Sequence, residues 1–119
     1  MPALNFQKQF AAAVESGEKR QTIRKQRKRP FRGGDTLFLY TGQRSRKCRN
    51  LLNVRCKSVE PFAIERTREG FVFTVGNREL DAVAADEMAL ADGFDDFFGM
   101  IDWFERTHGL PFEGVLIRW

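Results

Sequence analysis

The chain has 119 residues, 42% hydrophobic and 30% charged, enough for one modest core and so for a single domain over residues 1–119. No apolar run approaches the ~20 residues needed to cross a bilayer, and no charged-then-apolar leader opens the sequence, which argues against a membrane partner and against export. The net charge of +4 hides an asymmetry: residues 1–58 carry 15 Lys and Arg against 3 Asp and Glu, giving +12, whereas residues 59–119 carry 5 against 13, giving −8. A clustered basic half attracts polyanions by long-range Coulomb forces, unless the acidic half folds against it and neutralises it.

In chain order, Ala3–Phe6 reads as a short entry strand. Apolar residues then recur at Phe6, Phe10 and Val14, with Ala11 and Ala13 between them. This is the spacing of a core-facing helix, ended by Gly17. Gln21–Lys25 reads as a strand, with Thr22 and Arg24 on one face and Ile23 on the other. Gln26–Pro30 is too charged to bury and reads as a loop, and Gly33-Gly34-Asp35 is a turn. Thr36–Tyr40 reads as a strand buried on both faces, Thr41–Asn50 as a basic loop or hairpin arm, and Leu51–Val59 as a further strand. Cys48 and Cys56 form neither a CxxC pair nor a disulfide scaffold, and with a lone histidine they make a poor zinc set. They read as reduced structural thiols of a cytoplasmic protein that needs no metal and no cofactor.

Pro61–Arg66 reads as a connection and Phe71–Val75 as a strand. Leu80, Val83, Ala84, Met88 and Ala91 fit one face of a helix, interrupted at Asp92-Gly93. Phe94, Phe97, Phe98, Ile101 and Phe104 fit a second helix, ended by His108-Gly109. Such a stripe is usually core. Trp103 lies off it, and Trp119 is terminal; either can be partly exposed. Gly114–Trp119 closes the chain as a strand. The expected fold is α+β: a small, closed or nearly closed β-barrel with helices packed on its ends.

Gly17, Lys19, Thr22 and Arg24 form G-x-K-x-x-T-x-R, preceded by a helix and followed by a G-D-x-L-x-L strand (Gly34, Asp35, Leu37, Leu39). Asp92-Gly93-Phe94 then supplies an acidic-Gly-Phe element opening a helix. Over nearly its whole length the chain resembles the ASCH family, a branch of the PUA-like superfamily. The resemblance implies a barrel of about five to six strands with flanking helices. It also implies a role in RNA metabolism, because PUA-like domains commonly bind RNA or modified nucleobases in a cleft beside the barrel.

One ASCH branch consists of amidohydrolases that deacetylate N4-acetylcytidine. Carried over residue by residue, the resemblance makes Lys19 the base, Thr22 the nucleophile and Asp92 the proton-donating carboxylate, with Glu87 as the alternative. That branch uses a Glu as donor, one methylene longer than Asp92. A threonine hydroxyl needs a nearby base to become nucleophilic, and a lysine serves only if burial or positive neighbours lower its pKa. Each residue also has a plainer reading: a solvated turn lysine, a β-branched strand residue, and a helix cap for Asp92. Arg24 could hold a phosphate or an oxyanion, or brace the barrel through a carboxylate.

The basic residues Arg20, Arg24, Lys25, Arg27, Lys28, Arg29 and Arg32, with Arg44, Arg46, Lys47 and Arg49, are heavier than a nucleoside hydrolase needs and suit a phosphate backbone. Phe31 and Tyr40 are candidates for stacking on a base. The expected function is therefore RNA or nucleotide binding in a basic cleft, with RNA, single-stranded nucleic acid or a modified nucleoside as partner. The amidohydrolase is the first alternative and a ribonuclease the second. An adaptor whose basic half binds acidic protein is a reading from a different class.

Overall fold

The elements assemble into the expected α+β architecture, but the strand expected over Leu51–Val59 is broken at Cys56-Lys57 into two strands of different sheets. The computed structural model describes residues 2–119, and among these it contains eight strands and three helices. The order is β1 (Ala3–Phe6), α1 (Lys8–Ser16), β2 (Gln21–Arg24), β3 (Thr36–Thr41), β4 (Arg49–Arg55), β5 (Ser58–Thr67), β6 (Gly70–Val75), β7 (Arg78–Glu79), α2 (Ala82–Ala91), α3 (Phe97–Thr107) and β8 (Phe112–Arg118).

The strands form two sheets rather than a closed barrel. One is three-stranded in the order β1-β3-β4, with β1 parallel to β3. The other is five-stranded in the order β2-β8-β5-β6-β7 and antiparallel. The chain passes from one sheet to the other at Cys56-Lys57, where the Cys56 amide donates to Asp35 and the Lys57 amide to Arg118. On the far side the sheets end in free edges, β1 and β2. An arginine bridges that seam: Arg24 Nη2 donates to the Asn5 carbonyl at 2.7 Å. The fold is thus two separate sheets, linked by the chain at Cys56-Lys57 and by Arg24 at the β1–β2 seam, and Thr22 and Arg24 lie on the strand that borders this seam.

β8 holds the layers together. Val115, Ile117 and Trp119 belong to one core, with Leu4, Phe6, Phe10, Val14, Leu37 and Leu39. Phe112 and Leu116 belong to a second core, with Phe62, Ile64, Phe73, Met100 and Phe104 beneath α2 and α3. The run Val115-Leu116-Ile117 is apolar throughout because both faces of this strand are covered.

Several expectations give way to packing. Pro61–Arg66 is not a connection but the middle of β5. Pro61, usually confined to edges, is tolerated where the β5–β6 ladder only begins at Phe62. α2 buries Ala85, Met88 and Ala89 and leaves Val83 68% exposed. Its sequence is apolar nearly all round, so periodicity could not choose the buried face. α3 starts at Phe97 rather than Phe94, because the Asp96 carboxylate accepts from the Gly99 amide and caps it, and Phe98 faces outward. In β3 only Leu37 and Leu39 are fully buried; Phe38 and Tyr40 lie half-buried on the other face.

Candidate functional site

The site begins with the turn after α1. Gly17 takes the left-handed conformation (φ 84°) and its amide donates to Val14, so the helix stops there. The Lys19 amide then reaches back to Ala13 at 2.9 Å. This turn sets Lys19 down at the head of β2 with only 3% of its surface exposed. Along β2, Thr22 lies opposite Ile117 and Arg24 opposite Val115, while Ile23 opposes Leu116 on the other face.

The carboxylate comes from the far end of the chain. Asp92 is the last residue of α2's C-terminal turn, its amide donating to Met88, and does not open α3 as the sequence pattern suggested. Gly93 follows at φ +100°, and a Cβ there would stand 3.0 Å from the Phe10 ring, so the turn that presents Asp92 requires glycine. Lys19 Nζ lies 3.1 Å from Asp92 Oδ1 and also donates to the Asp92 carbonyl. Gln21 Nε2 donates to the same Oδ1 at 3.5 Å and contacts Met88 Sδ. Burial pushes Asp92 up from its usual carboxylate range, opposed by the Lys19 charge. Burial likewise lowers Lys19, opposed by Asp92 and assisted by Arg24.

Arg24 lies across the seam. Its Nε donates to Thr22 Oγ1 at 3.1 Å and its guanidinium sits 4.9 Å from the Phe6 ring centroid. Burial lowers its pKa, opposed by Asp92. Thr22 is thus engaged by Arg24, and Lys19 by Asp92.

All four residues line one cleft of about 400 Å³. Its walls are aromatic: Phe6, Phe10, Phe94 and Trp103, with Phe10 edge-on to both Phe94 and Trp103. Asn5, Gln7, Lys25 and His108 stand around them. The His108 ring packs against Trp103, and its pKa is lowered by partial burial and by the charges of Lys25 and Arg24. The cleft therefore offers cationic donors, a hydroxyl and a carboxylate between aromatic faces.

The other singled-out residues scatter. Lys25 reaches the cleft, but Arg20 lies in a separate depression with Lys57 and Arg118. Arg27 folds onto the Phe31 ring at 3.8 Å and donates to the Arg29 carbonyl; Lys28, Arg29 and Arg32 are exposed and do not line the cleft. Phe31 is itself core, 5% exposed, and so is not free to stack on a base. Glu87 points to solvent from α2, away from the cleft, which leaves Asp92 as the carboxylate. Lys47 and Arg49 line a second groove beside α1, and Arg44 and Arg46 are exposed in the same turn.

Sequence reading missed the aromatic walls. Phe6, Phe10 and Phe94 sit in apolar patterns that look like plain core, and only the off-stripe position of Trp103 hinted at another role. Among the described residues no group of three His, Cys, Asp or Glu is placed to hold a metal ion, and no helix is long and apolar enough to cross a membrane. In comparisons with protein-family models, curated proteins and solved structures, nothing matches this chain.

Proposed function

We propose that this chain is a nucleobase-recognising domain of the ASCH type, taking one base of an RNA strand, or a modified nucleoside, into the cleft at the open seam. One observation carries the reading: Lys19, Thr22, Arg24 and Asp92 converge in a single aromatic-walled cleft. Its volume suits a small ligand. Aromatic faces stack on bases regardless of sequence, and Phe94 and Trp103 are the partly exposed wall members able to do so; the mixed donors and acceptor of the floor can pair with a base edge. The G-x-K-x-x-T-x-R resemblance supports the same reading from the sequence.

Titration of cytidine, N4-acetylcytidine and single-stranded RNA, followed by NMR at the Trp103 indole, tests it. Nucleoside binding is expected to shift the Trp103 resonance, and Trp103→Ala to weaken binding on the order of tenfold or more through lost stacking. No binding of any nucleoside or RNA at low salt, or shifts confined to another face, would remove the reading.

A second reading, amidohydrolysis of an acylated base, is favoured by the buried Lys19 with its lowered pKa in the same cleft as Thr22. In that chemistry Thr22 Oγ1 attacks the acyl carbon, Lys19 takes the hydroxyl proton, and the C–N bond breaks as Asp92 supplies a proton to the leaving amine; water then hydrolyses the Thr22 ester, releasing acetate and restoring the hydroxyl. Lys19 would first have to exchange Asp92 for Thr22 as its partner. Release of acetate from N4-acetylcytidine, lost in Thr22→Val and Lys19→Met, is the result expected of this reading; turnover unchanged in both variants excludes the assignment.

A further inference from the structure

A second groove of about 640 Å³ lies on the other side of the Asn5–Gln7 stretch. Asn5, Phe6 and Gln7 line both openings, so one short piece of backbone is their shared wall. That wall is pinned from both sides. Arg24 donates to the Asn5 carbonyl from the cleft. From the groove, the Gln43 amide donates to Asn5 Oδ1 at 2.9 Å and Thr41 Oγ1 to the Phe6 carbonyl at 2.8 Å.

The groove runs between α1 and the turn that follows β3. Its charged lining is Lys8, Lys47 and Arg49 against a single carboxylate, Glu15, which is already paired with Arg49. The basic run Arg24–Arg29 is divided by the fold: Arg24 and Lys25 line the cleft, whereas Lys28 and Arg29, with Arg32 beyond them, line neither opening.

We propose that a single-stranded RNA with one base in the cleft continues over the Asn5–Gln7 wall into this groove, its phosphates lying against Lys8, Lys47 and Arg49. The Lys28–Arg32 run then stands off the path. The inference rests on the base-binding reading of the cleft and adds a direction to it. Phosphates need no shaped pocket, only cations along a continuous track, and this groove provides the track that adjoins the cleft.

The test compares the native chain with Lys8→Gln/Lys47→Gln and with Lys28→Gln/Arg29→Gln. Binding of a mixed-sequence single-stranded RNA about ten nucleotides long is measured across salt concentrations, and binding of cytidine is measured separately at Trp103. The Lys8/Lys47 variant is expected to bind RNA on the order of tenfold more weakly. Its log–log salt slope should be shallower by ~1.4, about 0.7 for each lost phosphate contact. Cytidine binding should be unchanged, and the Lys28/Arg29 variant should match the native chain in both assays.

An RNA affinity that falls with Lys28/Arg29 and not with Lys8/Lys47 overturns the path, as does RNA binding no tighter than cytidine. A polyglutamate peptide that displaces the RNA from the groove more strongly than unlabelled RNA does would assign the groove to acidic protein instead. If cytidine leaves Trp103 unmoved, the base-binding reading itself fails; if cytidine binds while the Lys8/Lys47 charges are irrelevant, only the path fails.

Discussion

Lys19 and Asp92 are two charges taken almost wholly out of water, at 3% and 5% exposure, and each is tolerable only because of the other. Their mutual attraction offsets a desolvation cost that pushes both toward the neutral form. Asp92→Asn removes the counter-charge and leaves an ammonium buried beside an amide and the Phe10 ring. Unfolding in urea is expected to show a loss of ~3 kcal/mol or more, and Asp92→Asn combined with Lys19→Met should lose less than Asp92→Asn alone. Equal midpoints for the native chain and both variants would mean that the pair is not closed as described. A pair with so unfavourable a solvation balance is a weak device for stability. Under the proposed function, the pair is there for the polar groups it presents to the cleft.

The elements hold these residues through close backbone approaches. β8 and β2 meet where Gly114 faces Arg24: a Cβ at Gly114 would stand 2.2 Å from the Arg24 carbonyl oxygen, a distance no real contact allows. Gly114→Ala must therefore push the edge strand β2 away from β8, and with it Thr22 and Arg24. The expected cost is ~1–3 kcal/mol of stability, as for other overpacked sites. If the cleft binds nucleosides as proposed, that affinity should fall as well, because the floor of the cleft moves while no cleft side chain changes. Thermal unfolding and the Trp103 titration together read this out; a variant with native affinity would show that β2 is not positioned by this contact.

At the scale of the whole molecule, the charge asymmetry of the sequence becomes a division of surfaces. The three-stranded sheet, α1 and β2 come from the basic half. The rest of the five-stranded sheet and both later helices come from the acidic half. The halves meet across β8, which contributes to both cores, so the chain is expected to unfold in one transition. Phe104, 1% exposed and packed against Phe62, Trp103 and Phe112, is expected to cost ~3–5 kcal/mol when cut to alanine. Phe98, 67% exposed on the same helix, should change stability by less than ~0.5 kcal/mol. Similar losses from the two, read by chemical denaturation, would contradict the phase assigned to α3.

The sequence by itself determined the local decisions. Glycine at position 17 stopped α1 and alternation put Thr22 and Arg24 on one face of β2, both through interactions within a few residues. Only the tertiary structure decided the rest, because each remaining choice was between alternatives of nearly equal local energy. Glu87 lies midway along α2 and Asp92 at its C-terminal cap, and long-range packing buries the second and leaves the first in water. Phe10, Phe94 and Trp103 come from three separate stretches and form a wall only once α1 meets the turn after α2 and one face of α3. Of the dense basic run Arg24–Arg29 the fold turns only Arg24 and Lys25 into the cleft and leaves Arg27, Lys28 and Arg29 outside it, because charge density in sequence carries no information about which surface it will occupy.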